Sequence, residues 1–306
     1  MDDVVLAAVC DLDVGKARSA AERHGASASY ADAAEMLDRE KLDFVDIATT
    51  MESHAELVGM AAARNLPTIV QKPLAPTWKD CVAIVEGCKA ARIPFMVHEN
   101  TRFLTPVRKA REIIDSGAIG RPIWARVSFR TGHDIYGKQP YLAHVDHFVI
   151  LDLGVHMLDV ARFLMGEATR LYCQAQSVKP GIAGEDMATI VLQHAGGATS
   201  VVECSYASPI HPDPFPQLSL QVEGTAGSLR LSPGYRLSVF SKPPKATSRQ
   251  RRCPGRRHPG TAPRRAFCAS SSTGLNVCGR GVSPRPLAPT ASRLTDLCLP
   301  PTNRRA

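Results

Sequence analysis

Four short apolar runs, Val4 to Cys10, Phe44 to Ala48, Thr68 to Val70 and Phe95 to Val97, alternate with helix-length segments over the first part of the chain. The intervening segments read as helices at about Val14 to His24 (stopped by Gly25), Ala31 to Arg39, a stretch ending near Arg64, and Trp78 to Ala91. Ser53-His-Ala-Glu56 has the spacing of a capping box and is expected to open the third helix. Short apolar strands separated by helices predict βαβ units and a parallel sheet covered on both faces.

The pattern changes after about residue 101. A helix is expected from Thr105 to Ser116 and a strand from Ile123 to Arg130, followed by a loop, 131–149, rich in His, Tyr and Asp. Strand-like stretches then follow at Leu171 to Val178, Met187 to His194, Ala198 to Tyr206, Gln217 to Glu223, Ser228 to Leu231 and Arg236 to Phe240. The expected fold class is α/β: a truncated Rossmann-like parallel sheet over 1–101, plus an α+β domain with an open antiparallel sheet over 102–241.

Charge and composition divide the chain again at Lys242. Fourteen of the 37 Lys and Arg residues, but only Asp296 of the 29 acidic ones, lie from there to the end, so residues 1–241 carry a net charge of −5. The body therefore gives no support for nucleic-acid binding. The segment 242–306 holds ten prolines and twelve arginines without periodicity and reads as a disordered basic tail. Its abrupt start suggests an out-of-frame extension of a truncated gene. No run has the roughly 18–20 apolar residues of a membrane span, and Asp2 and Asp3 stand where a secretory signal would be basic. Cys10, Cys81, Cys88, Cys173 and Cys204 sit in apolar contexts, and no Cys-x-x-Cys pair occurs. A reducing, cytoplasmic setting is expected, with no zinc site.

Candidate functional residues cluster after the apolar runs. Asp11 follows the first, where a carboxylate can accept ribose hydroxyls of NAD and repel the extra phosphate of NADP. Asp13 could equally cap the next helix. Thr49 and Thr50 follow the second run, with His54 nearby as a cofactor contact or a packing residue. Gln71-Lys72-Pro73 follows the third, Lys72 being able to orient a hydroxyl or relay a proton. His98-Glu99-Asn100-Thr101-Arg102-Phe103 follows the fourth; Asn100 could reach a nicotinamide or substrate, and Arg102 could serve a structural ion pair. Ile150 to Asp159 reads as one helix, which would project Asp152, His156 and Asp159 from one stripe. A carboxylate beside an imidazole can hold its tautomer or grip a substrate hydroxyl; the same pair can simply fix packing.

Taken together, Asp11, Thr49-Thr50 with His54, Gln71-Lys72-Pro73, Asn100-Thr-Arg-Phe103 and Asp152-x-Gly154-x-His156-x-x-Asp159 resemble the Gfo/Idh/MocA oxidoreductase family over about residues 1–241. The resemblance implies a nicotinamide-dependent hydride transfer at a carbinol carbon of a sugar or cyclitol. It assigns Lys72, Asp152 and His156 as catalytic residues, with His156 taking the hydroxyl proton. It implies Asp11, Thr49, Thr50, His54, Gln71, Lys72 and Asn100 as cofactor contacts, no metal, and a homo-oligomer. Two departures stand out. The family's Gly-x-Gly-x-x-Gly turn has no counterpart, Met1 falling at what looks like the second strand, and Gln71 replaces the usual Glu. Loss of a central strand would leave unpaired strand edges on both sides. A catalytically inactive remnant or ligand-binding protein thus stands as the alternative. A metal site built from His144, His147, Asp152 and His156 is a further reading, without an HExxH-like signature to support it.

Overall fold

Hydrogen bonding divides the parallel part of the fold into two sheets. The structure, a computed structural model, describes residues 4–241. Strand β1 (Ala8–Cys10) pairs in parallel with β2 (Ala28–Tyr30). Strands β3 (Val45–Ile47), β4 (Thr68–Val70) and β5 (Phe95–Val97) form a separate three-stranded parallel sheet in that order. Among the described residues no strand joins the two, so β1 and β3 each keep one unpaired edge. The helices between them are α1 (Val14–His24), α2 (Ala33–Arg39), α3 (His54–Ala63) and α4 (Trp78–Ala90).

Local chemistry explains these boundaries. Asp13 caps α1 by accepting from the Gly15 and Lys16 amides, and Gly25 closes it at φ 73°. Asp32 caps α2 through the Glu35 amide, and Thr77 caps α4 through the Asp80 amide. The capping box expected at Ser53 does not form. Residues Met51–Ser53 make a 3₁₀ turn, and the Ser53 hydroxyl lies 2.7 Å from Thr49 Oγ1 and 2.9 Å from the Thr50 carbonyl instead. Strand β2 leaves little trace in the sequence because Ala-Ser-Tyr alternates over only three residues.

The second part begins with α5 (Thr105–Asp115) and β6 (Pro122–Arg130). The expected loop at 131–149 contains a short helix, α6 (Ile135–Lys138), and a 3₁₀ turn at Pro140–His144. After α7 (Val155–Met165) come β7 (Ala168–Gln176), β8 (Met187–His194), β9 (Thr199–Ser205), β10 (Ser219–Gly224), β11 (Gly227–Ser232) and β12 (Arg236–Ser241). With β6 they form one sheet ordered β12-β11-β10-β6-β9-β8-β7. Its pairs are antiparallel except β6 with β9, which run parallel, so the sheet is mixed rather than wholly antiparallel. Its inward residues, among them Val127, Ile190, Leu192, Val202, Leu220 and Leu229, pack on Val107, Ala110, Leu158 and Ala161 of α5 and α7. Tyr172, Val191 and Phe240 remain exposed on its strands. A smaller core of Ile47, Val58, Val70, Cys81 and Ile84 holds the three-stranded sheet against α3 and α4. The basic tail expected from Lys242 lies outside the described residues.

Candidate active site

The Ile150 to Asp159 segment is not one α-helix. Ile150–Gly154 forms a π-helical turn that passes into α7. Such wide turns interrupt the 3.6-residue repeat and are frequent at functional sites. Asp152, His156 and Asp159 nonetheless project to one side, as the expected stripe requires, through three separate pairings. Each joins this segment to the carboxyl end of the three-stranded sheet.

Lys72 Nζ donates to Asp152 Oδ1 at 2.8 Å and to the Asp152 carbonyl at 3.1 Å. The hydroxyl of Tyr206, one residue beyond β9, donates to Asp152 Oδ2 at 2.8 Å. Burial and the Asp152 charge hold that hydroxyl well above the usual tyrosine range, which keeps it a donor. Both carboxylate oxygens of Asp152 are thus engaged, and each retains a second lone pair for a ligand hydroxyl.

His156 pairs not with an Asp on its own helix but with Glu99. Its Nδ1 lies 2.8 Å from Oε1 and 2.7 Å from Oε2 of that carboxylate. The Thr101 amide also donates to Glu99 Oε1, at 2.9 Å. Burial pushes the Glu99 carboxyl up, but the hydrogen bond and charge of His156, with the Thr101 amide, outweigh it and hold Glu99 below the ordinary range. In the sequence Glu99 stands only as part of its motif, and nothing in the spacing marks it as the partner of a histidine 57 residues away.

Arg102 makes a two-pronged contact with Asp159, from Nε to Oδ2 at 2.6 Å and from Nη2 to Oδ1. Asp159 is 2% exposed, and Arg102 also stacks over the Phe163 ring. This is the structural ion pair expected of Arg102.

The geometry brings Lys72, Asp152 and His156 together. Val70 and Val97 are register partners on β4 and β5. Lys72 and Glu99 each follow by two residues, so they stand side by side at one sheet end. Their partners, Asp152 and His156, are one turn apart. Tyr206 also lines a cavity of about 210 Å³ with His133, Asp134, Tyr136, Lys179 and Asp186. The buried Tyr136 hydroxyl has no hydrogen-bond partner among the described residues.

The expected cofactor residues divide. Asp11 is exposed past β1 and accepts the Asp13 amide at 2.8 Å, while Asp13 itself caps α1. Thr49 and Thr50 are exposed at the carboxyl end of β3, and Asn100 is exposed beside Glu99. Gln71 folds back, its Oε1 accepting the Lys72 amide at 2.8 Å, and so braces the turn. His54 is corrected: it is 1% exposed, with Nδ1 3.0 Å from the Leu74 carbonyl and Nε2 3.2 Å from the Thr49 carbonyl. Both ring nitrogens face backbone carbonyls, to one of which the neutral ring donates, and the buried ring braces the Thr49 loop. The residues present suit the ribose and nicotinamide ends of a dinucleotide, offering an exposed carboxylate and hydroxyls at carboxyl strand ends. They include no glycine-rich turn for a pyrophosphate. Among the described residues no group of three or more His, Cys, Asp or Glu is placed to hold a metal ion, and no helix is long and apolar enough to cross a membrane.

Carboxyl strand ends of a parallel sheet that carry a lysine and face a carboxylate and an imidazole on an adjoining α/β layer define a dinucleotide-dependent oxidoreductase class. Residues 1–99 match the model of an oxidoreductase family with an NAD-binding Rossmann fold, and residues 107–230 match the GFO/IDH/MocA C-terminal domain. The chain belongs to the Gfo/Idh/MocA family. It is 47% identical to a D-apiose dehydrogenase of Rhizobium rhizogenes over 76% of this chain and 68% of that one. A D-apiose dehydrogenase of Paraburkholderia graminis is also 47% identical, over 79% and 64%. The chain thus spans about two thirds of the length of these relatives. A crystal structure of an oxidoreductase from Agrobacterium radiobacter, in complex with NAD+, L-tartaric acid and magnesium, superposes with TM-score 0.75 at 47% identity, covering 77% of this chain and 69% of that one.

Proposed function

We propose that this chain is an NAD-dependent dehydrogenase that oxidises a carbinol carbon of a sugar or cyclitol, with Lys72, Asp152 and His156 as its catalytic residues. The observation that carries the reading is the contact of Lys72 with Asp152, one turn from His156, at the carboxyl end of β4 and β5. Asp11 would hold the adenosine ribose, and Thr49, Thr50 and Asn100 would border the dinucleotide farther along the sheet end. NAD bound there would supply the hydride acceptor.

The chain's own groups do the rest. The Lys72 ammonium and the Asp152 carboxylate orient the substrate hydroxyl, so that reaction starts from one geometry. His156 takes the hydroxyl proton as the carbonyl forms. Tyr206 pins Asp152 from its other side. The cavity beside Tyr206, lined also by Lys179 and Asp186, would take the remaining hydroxyls.

The division near residue 101 separates cofactor and substrate roles. The uncovered sheet face, with Tyr172, Val191 and Phe240 exposed, supports pairing with a second copy of the chain. None of the described cysteines is in a disulfide, which fits a cytoplasmic setting.

A ligand-binding, noncatalytic role is the second reading, and the break between the two parallel sheets favours it. Incubating the full chain with NAD and a panel of sugars and cyclitols separates the two. NADH formation that Lys72→Met abolishes supports the dehydrogenase; sugar binding without NADH formation supports the alternative.

A further inference from the structure

The catalytic reading leaves the partly buried acidic group in contact with His156 without a task. Glu99 is 13% exposed at its side chain, and His156 is 17% exposed. A carboxylate placed in such surroundings costs free energy unless something holds it there. Two groups do. The Thr101 amide fixes Oε1, and both oxygens face His156 Nδ1 within 2.8 Å. A carboxylate accepts and does not donate, so the hydrogen in this contact belongs to His156 Nδ1. The other ring nitrogen, Nε2, takes no hydrogen bond from any other described residue.

We infer that Glu99 is a positioning residue for His156, fixing the Nδ1–H tautomer and ring orientation so that Nε2 is the nitrogen that receives the substrate proton. This deepens the dehydrogenase reading and rests on it for the identity of the proton donor. In the step concerned, the substrate O–H bond breaks and an Nε2–H bond forms while the carbinol hydride leaves to NAD. The imidazolium produced carries its new charge against the Glu99 carboxylate. Glu99 therefore acts twice, on the tautomer before transfer and on the charge after it, as a carboxylate behind a catalytic imidazole does in other enzymes. Lys72 and Asp152 from the neighbouring strand end and π turn, and Arg102 with Asp159 from below, complete the charged groups around this pair. The Lys72 and Asp152 charges offset each other, as do those of Arg102 and Asp159, and Glu99 is the acidic group in contact with the ring.

The test uses the full chain with ¹⁵N-labelled histidine. The His156 signals are identified by their loss in His156→Asn. In the wild type at mildly alkaline pH, Nδ1 should show a protonated signature and Nε2 an unprotonated one. In Glu99→Ala the two should move toward a mixture of tautomers. Glu99→Ala should also lower kcat on the order of 100-fold, the low end of what a placed base contributes, with the KM for NAD unchanged. Glu99→Gln, which keeps an acceptor oxygen but no charge, should retain the tautomer and still lose turnover. A wild-type Nε2–H tautomer overturns the inference, as does a Glu99→Ala variant with unchanged kcat while His156→Asn has lost it. If His156→Asn itself keeps full turnover, the dehydrogenase reading of His156 fails, and the tautomer signals still decide whether Glu99 holds the ring.

Discussion

Lys72 Nζ meets Asp152 Oδ1 at 2.8 Å across 80 residues of sequence, and the same ammonium reaches the Asp152 carbonyl in the π turn. The contact closes the sheet end over α7. It is partly solvated, with side-chain exposures of 21% and 30%. Lys72→Met should therefore cost about 1 kcal/mol of stability, yet lower kcat/KM by about 10²-fold or more through lost positioning. Thermal melting and steady-state kinetics on one preparation check both halves. A large loss of stability with unaltered kinetics would make the contact purely structural.

The Arg102 contact with Asp159 should behave in the opposite way. Asp159 is almost fully buried, and burial pulls its carboxyl upward against the guanidinium. Arg102→Ala would strand that carboxylate and should destabilise by about 3–5 kcal/mol. Adding Asp159→Leu should recover part of the loss, since an apolar pair leaves no charge unmatched. Urea unfolding of the single and double variants measures the recovery.

His194 should give the fold an acid-sensitive step. Its ring is 1% exposed, with Nδ1 2.8 Å from the Gly166 carbonyl and Nε2 2.8 Å from the Ser200 hydroxyl. Burial lowers its proton affinity in the folded state. The unfolded chain then binds a proton first, at about pH 6.5. Stability is unaffected above that pH and falls as pH drops from there toward the depressed folded value. Unfolding free energy measured from pH 8 to 5 should show this slope, and His194→Asn should flatten it.

Tyr136→Phe separates binding from stability. Its hydroxyl is buried without a partner among the described residues, so removal should leave stability unchanged or raise it by about 1 kcal/mol. If the cavity beside Tyr206 takes a substrate hydroxyl, KM should rise severalfold while kcat holds. An unchanged KM would place the substrate elsewhere.

Much of this site was legible in the sequence because parallel sheets bind ligands at carboxyl strand ends. Once the apolar runs at Thr68 and Phe95 were recognised, Lys72 and Asn100 had only one place to be. The strand limits at Thr68–Val70 and Phe95–Val97 came from their apolar, β-branched or aromatic runs. What failed depended on long-range contacts. Helical periodicity puts Asp152, His156 and Asp159 on one side, where they are found, but the π turn that carries Asp152 is invisible to a 3.6-residue template. Glu99 and Tyr206 entered the site through tertiary contacts of 57 and 54 residues' separation, for which local pattern carries no signal. His54 had the right position for a ligand contact, yet the backbone carbonyls of Leu74 and Thr49 captured its ring.

NADH formation by the full chain, compared between wild type and His156→Asn with a panel of sugars and cyclitols, tests the central claim most directly. The account predicts NAD-linked turnover in the wild type and a loss of about 10²-fold or more in the variant. Equal turnover in both proteins, or no NADH formed by the wild type from any sugar or cyclitol, would contradict it.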